Sequence, residues 1–283
     1  MSKQLYLIVF LAVINIGIFW YIAAQFFVQD LAVHFLSVGQ GDSHLVVTKH
    51  ARILIDTGPG VRASQEIDRL MPMGDRVIDI VMIYHPNVDH FYGLLEIIKR
   101  YQVRLVLLSG VMTDDAKFNQ VLGEIKSRAI PVLYARQGQE ITWDRTSLKI
   151  LWPDFQFGLG ELAPEAKLND TSLVTLLSYQ DFDALFTGDI SAAIEKKLAA
   201  ALPEVEVLKV SHHGSKYSTA EQFLRVLQPK IAVIPVGQNR YGHPSNEVLG
   251  RLMVYTQNIF DTLSRGTVTI ISNGQEYSVL PER

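Results

Sequence analysis

Two histidines and an aspartate fall within six positions, His85-Pro86-Asn87-Val88-Asp89-His90, directly after the apolar run 80–84. Imidazole nitrogens and carboxylate oxygens packed this closely favour a borderline divalent cation such as zinc or manganese. Two other places carry the same residue types just beyond an apolar run: Thr187-Gly188-Asp189, and Ser211-His212-His213-Gly214-Ser215. One carboxylate between two histidine-bearing loops suits a single metal ion, or two ions bridged by Asp189. The expected ligands are therefore His85, Asp89, His90, Asp189 and His212. His212 is preferred over His213 because it leaves the strand end first, which makes His213 a second ligand or a proton donor. Asp189 also has a plainer reading, as the cap of the helix that follows it.

Groups so far apart along the chain meet only if a sheet gathers them. The run 80–84 has the length and composition of a buried strand, and Pro86 blocks its continuation as a helix. Leu94, Leu95, Ile97 and Ile98 then resume helical spacing. A strand that empties into a tight loop and then a helix is where α/β proteins present reactive groups. Strands over 173–179 and 182–186 lead to Asp189, and one over 206–210 leads to the histidine pair. Strand ends in one sheet share an edge, so these loops can converge. Earlier strands are expected over 31–38, 43–48 and 51–55, the first two joined by the turn-rich Gly39-Gln40-Gly41-Asp42. The third ends in Asp56, which either closes an Asx turn or orients a metal-binding histidine from behind. Further helices are expected over 65–70, 114–128, 190–202 and 245–255. Further strands are expected over 103–108, 130–134, 147–152, 231–236, 267–271 and 275–279, with 155–167 an excursion over the surface. His34, His44 and His50, in or beside the early strands, read as packing or surface residues.

The 283 residues, 48% hydrophobic and 19% charged, suffice for one large domain or two small ones. With no cysteine, disulfides, thiolate metal sites and thiol nucleophiles are excluded. A net charge of -3 gives no global attraction for nucleic acid, although Lys209 to Arg265 carries seven Lys/Arg against three Asp/Glu. Residues 5–28 form a run of 24 without a charge. As a helix it would be about 36 Å long, enough to cross a bilayer core of about 30 Å. Lys3 precedes the run and Asp30 follows it, so the tail is expected in the cytoplasm and the remainder outside the membrane. The alternative is a signal peptide cleaved near Ala23-Ala24, which would leave a secreted protein. Residues 1–30 are thus read as an anchor or signal segment, and 31–283 as the working domain.

His85-Pro-Asn-Val-Asp-His90, Thr187-Gly-Asp189 and Val210-Ser-His-His-Gly-Ser215 resemble the metal motifs of the metallo-β-lactamase fold. An ordered set is similar, more narrowly, to the extracellular hydrolase domain of ComEC-type competence proteins. It comprises Val38-Gly-Gln-Gly-Asp42, Leu54-Ile-Asp-Thr-Gly58, Asn169-Asp-Thr-Ser-Leu-Val174, Gly188-Asp-Ile190, His212-His-Gly-Ser215 and Tyr241-Gly-His-Pro244. The resemblance implies a four-layer αββα sandwich, preceded here by one transmembrane helix. It also implies hydrolysis of phosphodiesters with one or two manganese or zinc ions, on DNA (single-stranded favoured) or another nucleic acid. Under that reading Asp89 also orients the attacking water. His243 contacts the scissile phosphate or protonates the leaving oxygen, and Ser215, Lys216 and Arg240 contact phosphate. The chain departs from the family in three ways. Asn87 stands where the fold usually has His and ComEC-type domains often have Asp. No histidine lies between His90 and Asp189, which leaves Asn169 or a water in the place of that ligand. There is also a single candidate span rather than a channel, so DNA transport would need a separate channel subunit. The alternatives are a hydrolase of a cell-envelope phosphoester, lipid headgroup or lactone, and a metal-poor, non-catalytic binding domain.

Overall fold

The computed structural model describes residues 10–18, 31–154, 160, 162–164 and 167–283. Most of the apolar run 5–28 lies outside the described residues, as does much of 155–167; of the run, 10–18 is helical. Among the described residues no helix is long and apolar enough to cross a membrane.

Two sheets carry the chain. The first runs Tyr277–Pro281, Val268–Ser272, Leu31–Phe35, His44–Thr48, Arg52–Ile55, Ile80–Ile83, Val106–Leu108 and Val132–Tyr134 in spatial order. The second runs Ile259–Asp261, Ile231–Ile234, Val207–Lys209, Phe182–Phe186, Val174–Tyr179, Thr146–Trp152 and Glu140–Trp143. From Arg52–Ile55 onward the first sheet is parallel, and so is the second from Phe182–Phe186 to Ile259–Asp261. Parallel strands are covered on both faces, which is why they read as unbroken apolar runs. Their carboxyl ends also lie along one edge of each sheet.

Three buried clusters separate four layers. Phe35, Ile55, Met82 and Tyr84 of the first sheet face Leu177, Phe186, Val207 and Val233 of the second. The outer face of the first sheet packs Leu54 and Val81 against Ile67, Ile97 and Phe118 of three helices. The outer face of the second packs Leu208 and Ala232 against Leu198, Leu224 and Leu252 of three more. Each such side chain, fully buried, contributes roughly 1.5–3 kcal/mol. The architecture is therefore an αββα sandwich, as the sequence resemblance implied.

The differences from expectation are local. The apolar stretch 103–108 divides into Gln102–Val103, paired with Val77–Ile78, and Val106–Leu108 in the main sheet. Glu140–Trp143, Glu221–Leu227 and Ile259–Asp261 were not anticipated, being short or weakly patterned. Asp189 does not cap a helix: the following helix is Ala192–Ala199, with Ser191 at its N-cap.

Candidate metal centre

Three loops at the carboxyl ends of parallel strands meet between the sheets. The loop after Ile80–Ile83 turns at His85-Pro86 and closes into the single helical turn Val88–Phe91, placing Asp89 beside His90. Its approach to the loop before His44–Thr48 is tight. Asp42 N donates to Asp89 O at 3.2 Å. A Cβ on Gly41, whose φ is +140°, would lie 2.3 Å from that same oxygen. Beyond Val207–Lys209 the backbone takes two consecutive left-handed residues, His212 (φ 49°) and His213 (φ 53°). Such conformations cost a non-glycine residue about 1–3 kcal/mol each, and here they send the adjacent rings to different places. His213 is 2% exposed and His212 30%.

The donor atoms converge on a small volume. Asp189 Oδ2 lies 3.4 Å from His90 Nε2, 3.5 Å from His213 Nε2 and 4.0 Å from His212 Nε2. Asp89 Oδ2 lies 3.4 Å from His213 Nε2 and 3.8 Å from His90 Nε2. The edge of a tetrahedron with metal–ligand bonds of ~2.0–2.1 Å is about 3.4 Å, so this spacing fits one ion. His213, rather than the expected His212, holds the inner position, because the left-handed pair turns His212 toward the surface. His85 is fully buried and also falls in a metal-sized group with His90 and Asp189.

Hydrogen bonds behind the rings fix which nitrogen faces inward. His90 Nδ1 donates to Asp56 Oδ2 at 2.7 Å, and Asp56 Oδ1 accepts from Tyr84 N at 2.8 Å. His213 Nδ1 donates to Pro235 O at 2.8 Å. Each ring therefore presents Nε2 to the centre, the arrangement usual for ligating imidazoles. His90 Nε2, His213 Nε2 and both nitrogens of His85 are buried without a hydrogen-bond partner. Buried polar atoms are rarely left so, and a divalent cation is the group this donor set fits.

The carboxylates and imidazoles of the centre also hold one another's charges. Burial opposes ionisation of Asp189, yet the His213 and His90 charges beside it hold its carboxyl well below the usual range. Burial would neutralise His213, but Asp189 and Asp42 push it up to about 10. His85 has no such partner at hydrogen-bond range, and burial, with His90 adjoining, lowers it to about 3. Burial raises Asp56 to about 6, with the His90 charge pulling the other way.

Residues 36–238 match the family model of the metallo-beta-lactamase superfamily. The chain belongs to that superfamily. Among curated proteins, the chain is 29% identical over 258 residues to ComE operon protein 3 of Bacillus subtilis, covering 83% of this chain and 32% of that protein. It is 30% identical over 241 residues to Recombination protein 2 of Haemophilus influenzae, covering 83% and 28%. It thus spans under a third of the length of either relative. Among solved structures, YhfI of Bacillus subtilis, a metallo-β-lactamase fold protein, matches with a TM-score of 0.52 at 10% identity, over 81% of this chain and 95% of that one. The fold is that of a metal-dependent hydrolase.

Sequence reasoning missed four residues that build this metallo-β-lactamase site. Lys209, fully buried, pairs with Asp42 and donates to Gly188 O at 2.6 Å, with Asp189 Oδ1 3.5 Å away. Its signal was a charge inside the apolar run 207–210. Asp42 read as a turn residue and as the end of a resemblance motif, with no role in the centre assigned to it. Glu195 accepts from Ser211 Oγ, Thr219 N and Ala220 N at 2.6–2.7 Å and so pins the loop that carries His213. Asn239 accepts from Tyr241 N and His243 N and donates to His243 O, shaping the loop that carries His243.

The remaining candidates lie outward. Asn87 Nδ2 donates to Asn169 Oδ1 at 2.8 Å, and Asn169 Nδ2 faces His212 Nε2 at 3.3 Å. The His243 ring stands 5.5 Å from that of His212, and Tyr241 5.7 Å from His243, so the rings step from the centre toward solvent. Lys216 and Arg240 are exposed, whereas Ser215 is buried, its Oγ accepting from Tyr217 N at 3.4 Å. Ser215 is thus placed to brace its loop rather than to meet a phosphate. Of the early histidines, His34 bonds Thr269 Oγ1 and His50 pairs with Asp144 at the surface. His44 is buried, its Nε2 3.8 Å from Asp42.

Proposed function

We propose that the protein is a metal-dependent phosphodiesterase that cuts nucleic-acid strands, single-stranded DNA first among them. The observation that carries the choice of substrate is a cleft of about 620 Å³ lined by Lys196, Lys216, Arg225 and Arg251 against the single carboxylate of Glu221. Its walls continue the two ligand loops. Lys216 follows His213 by three residues, and Ala192, which donates to Tyr217 O at 3.0 Å, follows Asp189 by three. A cluster of cations on walls that continue the ligand loops suits a polyanion better than a lactone. Tyr217, 70% exposed with Lys216 over its ring, and Tyr241, 77% exposed, offer flat faces on which unpaired bases stack. A relative named for recombination supports the same substrate class.

In this reading Asp89, His90, Asp189 and His213 hold the ion, with Asn87 and Asn169 flanking it. When bound, the ion polarises a phosphoryl oxygen and makes water acidic near neutral pH. Asp89, held at its backbone by Asp42, orients the attacking water. His243, whose Nδ1 is buried without a partner, serves the leaving oxygen. Lys216 and Arg240 hold the flanking phosphates. The uncharged run 5–28 anchors the chain with residues 31–283 outside the membrane, beside a channel subunit supplied by another protein.

The test is cleavage of labelled single-stranded DNA, duplex DNA, a phosphodiester headgroup analogue and a lactone by the full chain, with manganese and with zinc. Metal-dependent cutting of the single strand is expected, and Lys216→Ala with Arg225→Ala should weaken it while sparing a small phosphodiester. Turnover of the headgroup analogue or lactone alone would overturn the substrate assignment.

A further inference from the structure

We infer that the centre takes one divalent ion, and that the Lys209 ammonium is a second positive charge built into the fold beside it. This rests on the reading of Asp89, His90, Asp189 and His213 as ligands and concerns what surrounds them.

The first ground is how Asp189 divides its oxygens. Oδ2 faces His90 Nε2 and His213 Nε2, while Oδ1 faces Lys209 Nζ at 3.5 Å. Bridging two ions takes both oxygens, or one oxygen shared between ions that other anions also neutralise. Lys209 is fully buried, and its ammonium also meets Asp42 and Gly188 O, so it cannot swing out to vacate that side.

The second ground is the ligand supply among the remaining donors, His85, Asn87, Asn169 and His212. Beyond His85, the nearby side chains are amides and His212. Asn87 and Asn169 bond each other, so whichever way the amides are turned, one carbonyl oxygen is already used. Asn169 Nδ2 is directed at the nitrogens of His212, at 3.3 and 3.5 Å. An amide brings no charge and one carbonyl donor. A stable site needs about three protein ligands, and these donors offer one free imidazole. The His85 nitrogens, buried and unpartnered, are left to meet a water or a substrate oxygen.

A one-ion centre is thus balanced in charge: Lys209 and one divalent ion together match the three carboxylates of Asp42, Asp89 and Asp189. Lys209 acts as a positioning residue through its charge: the ammonium lies 3.5 Å from Asp189 Oδ1, with Oδ2 toward His90 and His213.

The experiment is metal counting on the full chain. The protein is stripped with a chelator, titrated with manganese, and analysed both by elemental analysis and by electron paramagnetic resonance. One ion per chain with an uncoupled manganese spectrum is expected. The double substitution Asn87→Asp with Asn169→His should raise the count toward two and introduce spin coupling. Two ions of similar affinity in the unaltered chain would overturn the inference while leaving the hydrolase assignment standing. No stoichiometric ion would overturn both. If the double variant fails to fold, Asn87→Asp alone is read the same way, as a second and weaker binding step.

Discussion

Two sides of the centre can be told apart: Asp89, His90 and His213, whose two imidazoles are each fixed by a hydrogen bond at Nδ1, and His85, Asn87, Asn169 and His212, of which the last three are linked to one another. The first side has its charges matched. Two carboxylates meet two imidazoles, and Lys209 with Asp42 lies beneath. The second side has no anion of its own and turns outward to His243 and Tyr241. Apart from Asn169, both sides come from the same loops, so position alone does not make a metal site. What separates them is whether the donors are anionic or backed by anions, and whether packing leaves their lone pairs aimed at a common point.

The largest effect should come from the first side. Asp89→Ala should lower metal-dependent turnover by roughly three orders of magnitude, some 4 kcal/mol of transition-state stabilisation, whereas His85→Ala should keep the ion. Elemental analysis of the two variants side by side breaks the comparison if they lose metal equally. Next is the support beneath. Lys209→Met strands Asp42 in the interior and should cost about 3–5 kcal/mol in denaturant unfolding. Adding Asp42→Asn should recover a large part of that, which a purely steric role for the lysine would not permit.

Acid titration sets the background. Burial lowers His34, remote from the centre, from 6.5 to about 4. The unfolded chain therefore binds a proton that the folded one refuses between those values. The contribution of His34 is complete above pH 6.5 and is lost as the pH falls toward 4, amounting to about 3 kcal/mol at most. His34→Gln should flatten the stability–pH slope across that window, and an unchanged slope would assign the acid sensitivity elsewhere. The smallest effect is expected at Asp56. Asp56→Asn leaves the His90 ring in place but removes the charge behind it, and should weaken metal affinity by about 10–100-fold in a competition titration.

Much of the centre was legible in the chain because its residues interrupt apolar runs at their ends. His85, Asp89, His90 and Asp189 stand out where a buried strand stops. The two-sheet architecture came from the family resemblance; the runs alone placed these strand ends on the edge of one sheet, whereas His85, Asp89 and His90 follow a strand of the first sheet and Asp189 and His213 follow strands of the second. The order of the two histidines was not legible. It depends on left-handed backbone at both His212 and His213, which their side chains do not announce. Asp42 was hidden by its glycine neighbours, whose composition says turn, and Lys209 was counted only in the Lys/Arg excess of 209–265, although it is fully buried.

The sequence by itself determined where strands end, which side chains those ends carry, and that thiolate chemistry is absent, because these are properties of short stretches. The packing of one sheet on the other decided the rest: that Lys209 meets Asp42, that His213 turns inward, and that the two asparagines satisfy each other. Such contacts join residues from different strands across the core. Their strength comes from the exclusion of water between the sheets, a condition that no local pattern of residues encodes.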